Sequence, residues 1–100
     1  MSKPLEAKVQ SDIVKYLKSQ GVYVYRAMGN AMSGKGTPDV LCCINGRFVA
    51  MEFKREHNGA YGVTPAQEVR MRQIRKAGGE AYVVTTVSEA AEIVWGSDER

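Results

Sequence analysis

One histidine, His57, and two cysteines, Cys42 and Cys43, are all that 100 residues offer in the imidazole and thiolate ligands of zinc. That scarcity excludes a zinc site built from a Cys/His set. The cysteines are adjacent, and neighbouring side chains of a strand point to opposite faces, so a disulfide between them would need strained geometry. Both are expected to be core-filling thiols. Any bound metal must then be held by oxygen. No apolar run reaches eight residues, so nothing crosses a bilayer, and Met1-Ser2-Lys3-Pro4 lacks the apolar stretch of a secretory signal. A reducing, cytoplasmic setting is the expectation. Repeats and low-complexity segments are also missing, which leaves one folding unit over residues 1–100, with 5–95 as its core and 96–100 as a tail.

What is present fits a small globular domain: 44% hydrophobic and 25% charged residues, with 14 Lys and Arg against 11 Asp and Glu. The formal charge of +3 and an isoelectric point near 9.0 lean mildly towards polyanions. Acids gathered into one site would leave the remaining surface more basic.

Leu5, Val9, Ile13, Tyr16 and Leu17 recur at helical spacing and predict a first helix from Pro4 to Gln20, stopped by Gly21. Val22 to Arg26 reads as a strand, and Gly29 to Gly36 as a loop. Asp39 to Ile44 and Arg47 to Lys54 are strand-like runs joined by Asn45-Gly46, a strong signal for a two-residue type I′ hairpin. After a polar loop from Glu56 to Val63, Thr64-Pro65-Ala66-Gln67 spells a capping box with proline at the first helical position, and Gly78-Gly79 ends that helix. A strand from Ala81 to Thr85 and a short helix from Ser88 to Trp95, capped by Ser88, complete the chain. The order α-β-β-β-α-β-α predicts an α/β domain, a small mixed sheet flanked by helices.

The hairpin register carries the chemistry. A two-residue loop sets Ile44 against Arg47 and Cys43 against Phe48, and the same count outward sets Asp39 against Glu52. Like charges so placed repel unless something positive intervenes. Lys54 lies two residues beyond Glu52 on the same face. The other strand positions on both faces are apolar, so both faces are expected to be covered. The acids and Lys54 form either a structural ion pair at a sheet end or a site for a hard divalent cation, Mg²⁺ or Mn²⁺. Glu6 projects near the middle of the apolar stripe of the first helix, with Gln10 one turn on. It serves either a site beside the sheet or the positive end of the helix dipole. Gln67 likewise has two readings, a local cap or an inward-facing site residue. Arg26, Lys35, Arg55 and Arg70 are candidates for phosphate contacts.

Gly36-Thr37-Pro38-Asp39, followed thirteen positions on by Glu52-Phe53-Lys54, resembles the PD-(D/E)xK nuclease signature. With Glu6, the Thr64 to Gln67 segment and the Gly78 to Val84 stretch, the likeness is more narrowly to the VRR-NUC family, the virus-type replication and repair nucleases, and spans Glu6 to about Trp95. The resemblance implies a restriction-endonuclease-like fold. It implies catalytic roles for Glu6, Asp39, Glu52, Lys54 and Gln67, with Mg²⁺ or Mn²⁺ on Asp39 and Glu52, the Phe53 carbonyl, and Glu6 directly or through water. It further implies a free-standing phage or bacterial nuclease acting as a homodimer on branched DNA such as Holliday junctions, with no membrane or organic cofactor. Two rivals stand beside it: a non-catalytic nucleic-acid-binding module on the same fold, and an HNH-like nuclease using His57 as general base.

Overall fold

Five strands and three helices make up the computed structural model, which describes residues 3–27, 35–55 and 62–96. In chain order they are β1 (Lys3–Pro4), α1 (Ala7–Ser19), β2 (Tyr23–Arg26), β3 (Val40–Ile44), β4 (Arg47–Arg55), α2 (Pro65–Lys76), β5 (Glu80–Val84) and α3 (Val87–Gly96). Beyond the two-residue β1, this is the α-β-β-β-α-β-α order expected from sequence. His57, most of the Gly29 to Gly36 loop, most of the Glu56 to Val63 loop and the tail after residue 96 lie outside the described residues.

β4 is the hub of the sheet. It pairs antiparallel with β3, parallel with β5, and through its last two residues antiparallel with β1; β3 in turn pairs with β2. The turn at Asn45-Gly46 has positive φ at both residues, 50° and 84°, as a type I′ turn requires. Its register is the one counted from sequence: Ile44 opposite Arg47, through to Val40 opposite Met51. A slip of one residue would have sent every side chain of the hairpin to the other face.

The two faces are filled unequally. Val40, Cys42, Ile44, Val49, Met51, Phe53 and Val84 pack beneath α1 and α3, which contribute Ile13, Val14, Leu17, Ala90 and Val94. This is the main core. The opposite face has a small cluster of Ala50, Ala81 and Met71 under α2, with Leu41, Val63, Ile74 and Val83 around it. Two alanines beneath the helix let it sit close to the sheet, and the end of α2 leaves an open cleft beside Phe48. Complete cover of both faces, expected from the apolar strands, is therefore not what is found: Cys43 and Phe48 are exposed. The cysteine expectation is corrected with it. Cys42 is buried in the main core and its thiol is pushed up to about 11 by burial, whereas Cys43, pointing the other way from the same strand, is exposed.

Two helix starts also differ. α1 begins at Ala7 rather than Pro4, because Lys3 and Pro4 pair with β4 and Glu6 is the extended residue that precedes the helix. α3 begins at Val87, and Thr86 rather than Ser88 caps it: the Glu89 N–H donates to Thr86 Oγ1 at 3.1 Å. Thr86-Val87-Ser88-Glu89 has the Thr-x-x-Glu spacing that Ser88 lacks.

Candidate active site

Asp39 stands one residue before β3, where the chain turns into the sheet. Its backbone carbonyl accepts the Ala27 N–H at 2.8 Å, which ties it to the end of β2. Its carboxylate Oδ2 accepts the Phe53 N–H at 2.7 Å, so the side chain takes up a backbone donor that β3, starting later, leaves unpaired. The carbonyl of Phe53 leaves an extended strand on the same edge as its N–H and faces the same region.

Glu52 is opposite this point on β4 and is only 3% exposed; Lys54 is 7% exposed. Buried carboxylates and ammonium groups are rare without partners. Glu52 Oε2 accepts the Gln67 Nε2 amide at 2.7 Å and lies 3.8 Å from Lys54 Nζ. Glu52 Oε1 is buried and accepts no hydrogen bond from any described residue. Burial, and then the neighbouring Asp39 charge, push the Glu52 carboxyl up to about 7, with Lys54 opposing in part. Asp39 is also raised, by burial above all, against the pull of the Phe53 N–H, Lys54 and Arg26. Two acids thus sit in one poorly solvated place with too little positive charge to satisfy both.

Gln67 resolves its two sequence readings by serving both. Its Oε1 accepts the Thr64 N–H at 2.9 Å while its own N–H donates to Thr64 Oγ1 at 3.2 Å, completing the capping box. The other end of the same amide is the donor to Glu52. One side chain thereby fixes the start of α2 to the carboxylate. A second tie lies beside it: the Arg70 Nε donates to the Lys35 carbonyl at 3.2 Å, and Gly36 lies so close to α2 that a Cβ there would come within 2.4 Å of the Ala66 carbonyl oxygen. Gly36 has φ +82°, so two independent constraints demand glycine. Sequence reasoning saw Gly36 as the edge of a loop and the first residue of the Gly36 to Asp39 segment, without a contact to α2. Its place three residues before Asp39 was the available signal.

Glu6 stands apart. As the extended residue ahead of α1, with φ −60° and ψ 145°, it does not follow the helical projection that put it mid-stripe, and its exposed carboxylate pairs with Arg55 at 3.4 Å. Among the described residues, no three of His, Cys, Asp and Glu gather as a metal-binding group. Gln10 donates to the Leu5 carbonyl at 2.6 Å and is occupied at the helix start. The structure therefore brings together Asp39, Glu52, Lys54, Gln67 and the Phe53 backbone. Arg26 acts on Asp39 through its charge, Arg70 holds the Lys35 carbonyl, and Glu6 pairs with Arg55.

The residues present fit a hard divalent cation: two carboxylates held together at an energetic cost, a buried oxygen without a donor, and a backbone carbonyl on the same edge. A mixed sheet with an acid ahead of one strand, and an acid and a lysine two residues apart on the next, defines the PD-(D/E)xK nuclease class. Within it, the family model described as "Archaeal holliday junction resolvase (hjc)" matches residues 3–95, and the chain belongs to that family. Two solved structures share the fold. A "VRR_NUC domain" has a TM-score of 0.70 at 20% identity, over 89% of this chain and 92% of that one. A "VRR_NUC domain protein" has a TM-score of 0.70 at 24% identity, over 92% of this chain and 87% of the other. Comparison with curated proteins finds no significant match. No helix among the described residues is long and apolar enough to cross a membrane.

Proposed function

We propose that this protein is an Mg²⁺- or Mn²⁺-dependent endonuclease that hydrolyses phosphodiester bonds in branched DNA, Holliday junctions included. The observation that carries the reading is the Asp39–Glu52 pair in a poorly solvated place, where burial above all raises both carboxyls, the Asp39 charge raises Glu52 further, and Glu52 Oε1 has no donor among the described residues. A purely structural ion pair would be matched in charge; here Lys54 and Arg26 only partly offset two acids that burial keeps raised.

Asp39, Glu52 and the Phe53 carbonyl would hold the cation, and Glu6 would join only through water. When bound, the ion supplies a lowered water pKa and neutralises charge growing on the phosphate. Lys54, 3.8 Å from Glu52 and nearly buried, orients the attacking water and offsets negative charge at the phosphorus. Gln67 keeps Glu52 Oε2 occupied, which would leave Oε1 for the metal. Arg26, Lys35 and Arg55 contact phosphates on either side, and Arg70 holds the Lys35 segment in place. The family name supports a four-way junction as substrate. Such a junction must be nicked at two symmetric points, which supports a homodimer.

The test is a side-by-side incubation of labelled four-way, flap, splayed and linear DNA with Mg²⁺ or Mn²⁺. Cleavage that requires the metal, favours branched DNA and disappears in Glu52→Ala and Lys54→Ala supports the reading. Binding of branched DNA with no cleavage under any metal would overturn it in favour of a non-catalytic binding module.

A further inference from the structure

The sheet face that carries Asp39 and Glu52 continues away from them in register. The next row is Tyr25, Leu41, Ala50 and Ala81, and the one after it Tyr23, Cys43 and Phe48. Rows on one face are two residues apart, about 6.5 Å. Tyr25 therefore stands one row from the carboxylates, and Tyr23 and Phe48 two rows. These rings are open to solvent: Tyr23 is 70% exposed, Phe48 47% and Tyr25 44%. Between Phe48 and the end of α2 is a cleft of about 410 Å³, lined by Gln73, Ile74 and the Gly78-Gly79 backbone, so the aromatic floor has an amide beside it. Tyr23 and Tyr25 share β2 whereas Phe48 lies on β4, so the three together do not form a motif in the sequence.

We propose that this aromatic surface is a stacking platform for unpaired nucleotides, so that the DNA cleaved has single-stranded character next to the scissile phosphate. The inference rests on the endonuclease reading and narrows its substrate. Three features favour nucleic acid as the occupant. The rings run in register from the carboxylates, so a strand with its phosphate at Asp39 and Glu52 lays its neighbouring bases along them. Tyr23 and Tyr25 are two residues apart on one strand, a separation that successive bases of an extended strand can follow. Glu52 is also the sole acid at the β2–β5 positions of this face, Glu80 lying on the other, and Lys54 follows Glu52 on the same face. A second copy of the chain fits less well. With about 150–250 Å² per ring, the exposed aromatic area is roughly 300 Å², against about 800 Å² per partner in a stable protein interface. Each stacked base stabilises binding about 5- to 150-fold and does so for any base, because every base has a π-face.

The experiment uses the full chain and its Tyr23→Ala, Phe48→Ala and Tyr23→Phe variants, each first confirmed as folded by circular dichroism. Binding of a labelled 12-nucleotide oligothymidylate is followed by anisotropy, and Mg²⁺-dependent cleavage is compared on a splayed duplex and a fully paired one. Both alanine variants should lose at least about fivefold in oligothymidylate affinity and in the splayed-to-paired cleavage ratio, with Tyr23→Phe close to wild type. Undiminished oligothymidylate affinity in both alanine variants overturns the platform while leaving the nuclease intact. Absence of cleavage by the wild type, with the affinity loss still present, overturns the nuclease reading alone. A dimer that becomes a monomer in Tyr23→Ala or Phe48→Ala by sedimentation overturns the platform in favour of an interface between copies.

Discussion

Replacing Glu52 by glutamine should make the metal-free protein more stable at alkaline pH, although Glu52 is among its most buried residues. The carboxyl is raised from 4.5 to about 7 by burial and by Asp39. An acid whose folded pKa lies above its unfolded one binds its proton more tightly in the folded state. Stability is then full below about pH 4.5 and falls as pH rises through about 7. At about 1.4 kcal/mol per unit, ionising Glu52 costs the fold on the order of 3 kcal/mol above pH 7. Glutamine keeps the shape, its amide oxygen still accepts from Gln67, and its amide nitrogen can donate to Asp39. Lys54 loses half of its negative surroundings, which removes part of the gain. A net stabilisation on the order of 1–3 kcal/mol remains, and at about 4–8 °C per kcal/mol for a domain of this size the melting temperature rises by roughly 10 °C. Thermal melting in EDTA at pH 5 to 8 reads this directly: wild type should lose stability across the range, Glu52→Gln should lose less, and the two should differ most at pH 8. A variant that melts below wild type at pH 8, with an unchanged pH slope, would refute the picture of a strained carboxylate pair.

Three further outcomes follow from particular contacts. Gln67→Ala removes the capping box and the donor to Glu52 together and should cost about 1–3 kcal/mol in denaturant melts; Gln67→Glu keeps an acceptor for the Thr64 N–H but replaces the donor to Glu52 with a third acid, so it should stay destabilised at neutral pH in the same melts and inactive in cleavage. Gly36→Ala forces a side chain onto the Ala66 carbonyl at φ +82°, and should destabilise by about 1–3 kcal/mol or more and abolish cleavage; wild-type stability would show that the close approach relaxes freely. Glu80 is held down to about 2 chiefly by its hydrogen bonds from Arg47. It therefore stabilises the fold fully above about pH 4.5 and progressively less as pH falls towards 2, so the stability difference between wild type and Glu80→Gln should close over that interval in acid titrations.

The hairpin was legible because its turn chemistry and its two-residue periodicity are local, and together they fix which residues face one another. That is why Asp39 and Glu52 could be placed opposite each other from spacing alone. α2 was legible for the same reason, its capping box being written within four residues. Glu6 was misplaced because a helical projection was carried past the helix start; nothing within α1 says that Lys3 and Pro4 pair with β4. The contact of Gly36 with Ala66 and the bond from Arg70 to the Lys35 carbonyl join segments about 30 to 35 residues apart. Such contacts follow from how α2 docks on the sheet, which no local pattern encodes. Cys43 and Phe48 were read as covered because strand periodicity shows which face a residue takes and not how far a helix extends over that face.

The central claim is that Asp39 and Glu52 are held together for a divalent cation. Calorimetric titration of the protein with Mn²⁺ at pH 7.5, in wild type and in Glu52→Gln, tests it most directly. The account predicts saturable binding to wild type and its loss in the variant. Equal Mn²⁺ binding by both proteins, or none by the wild type, would contradict it.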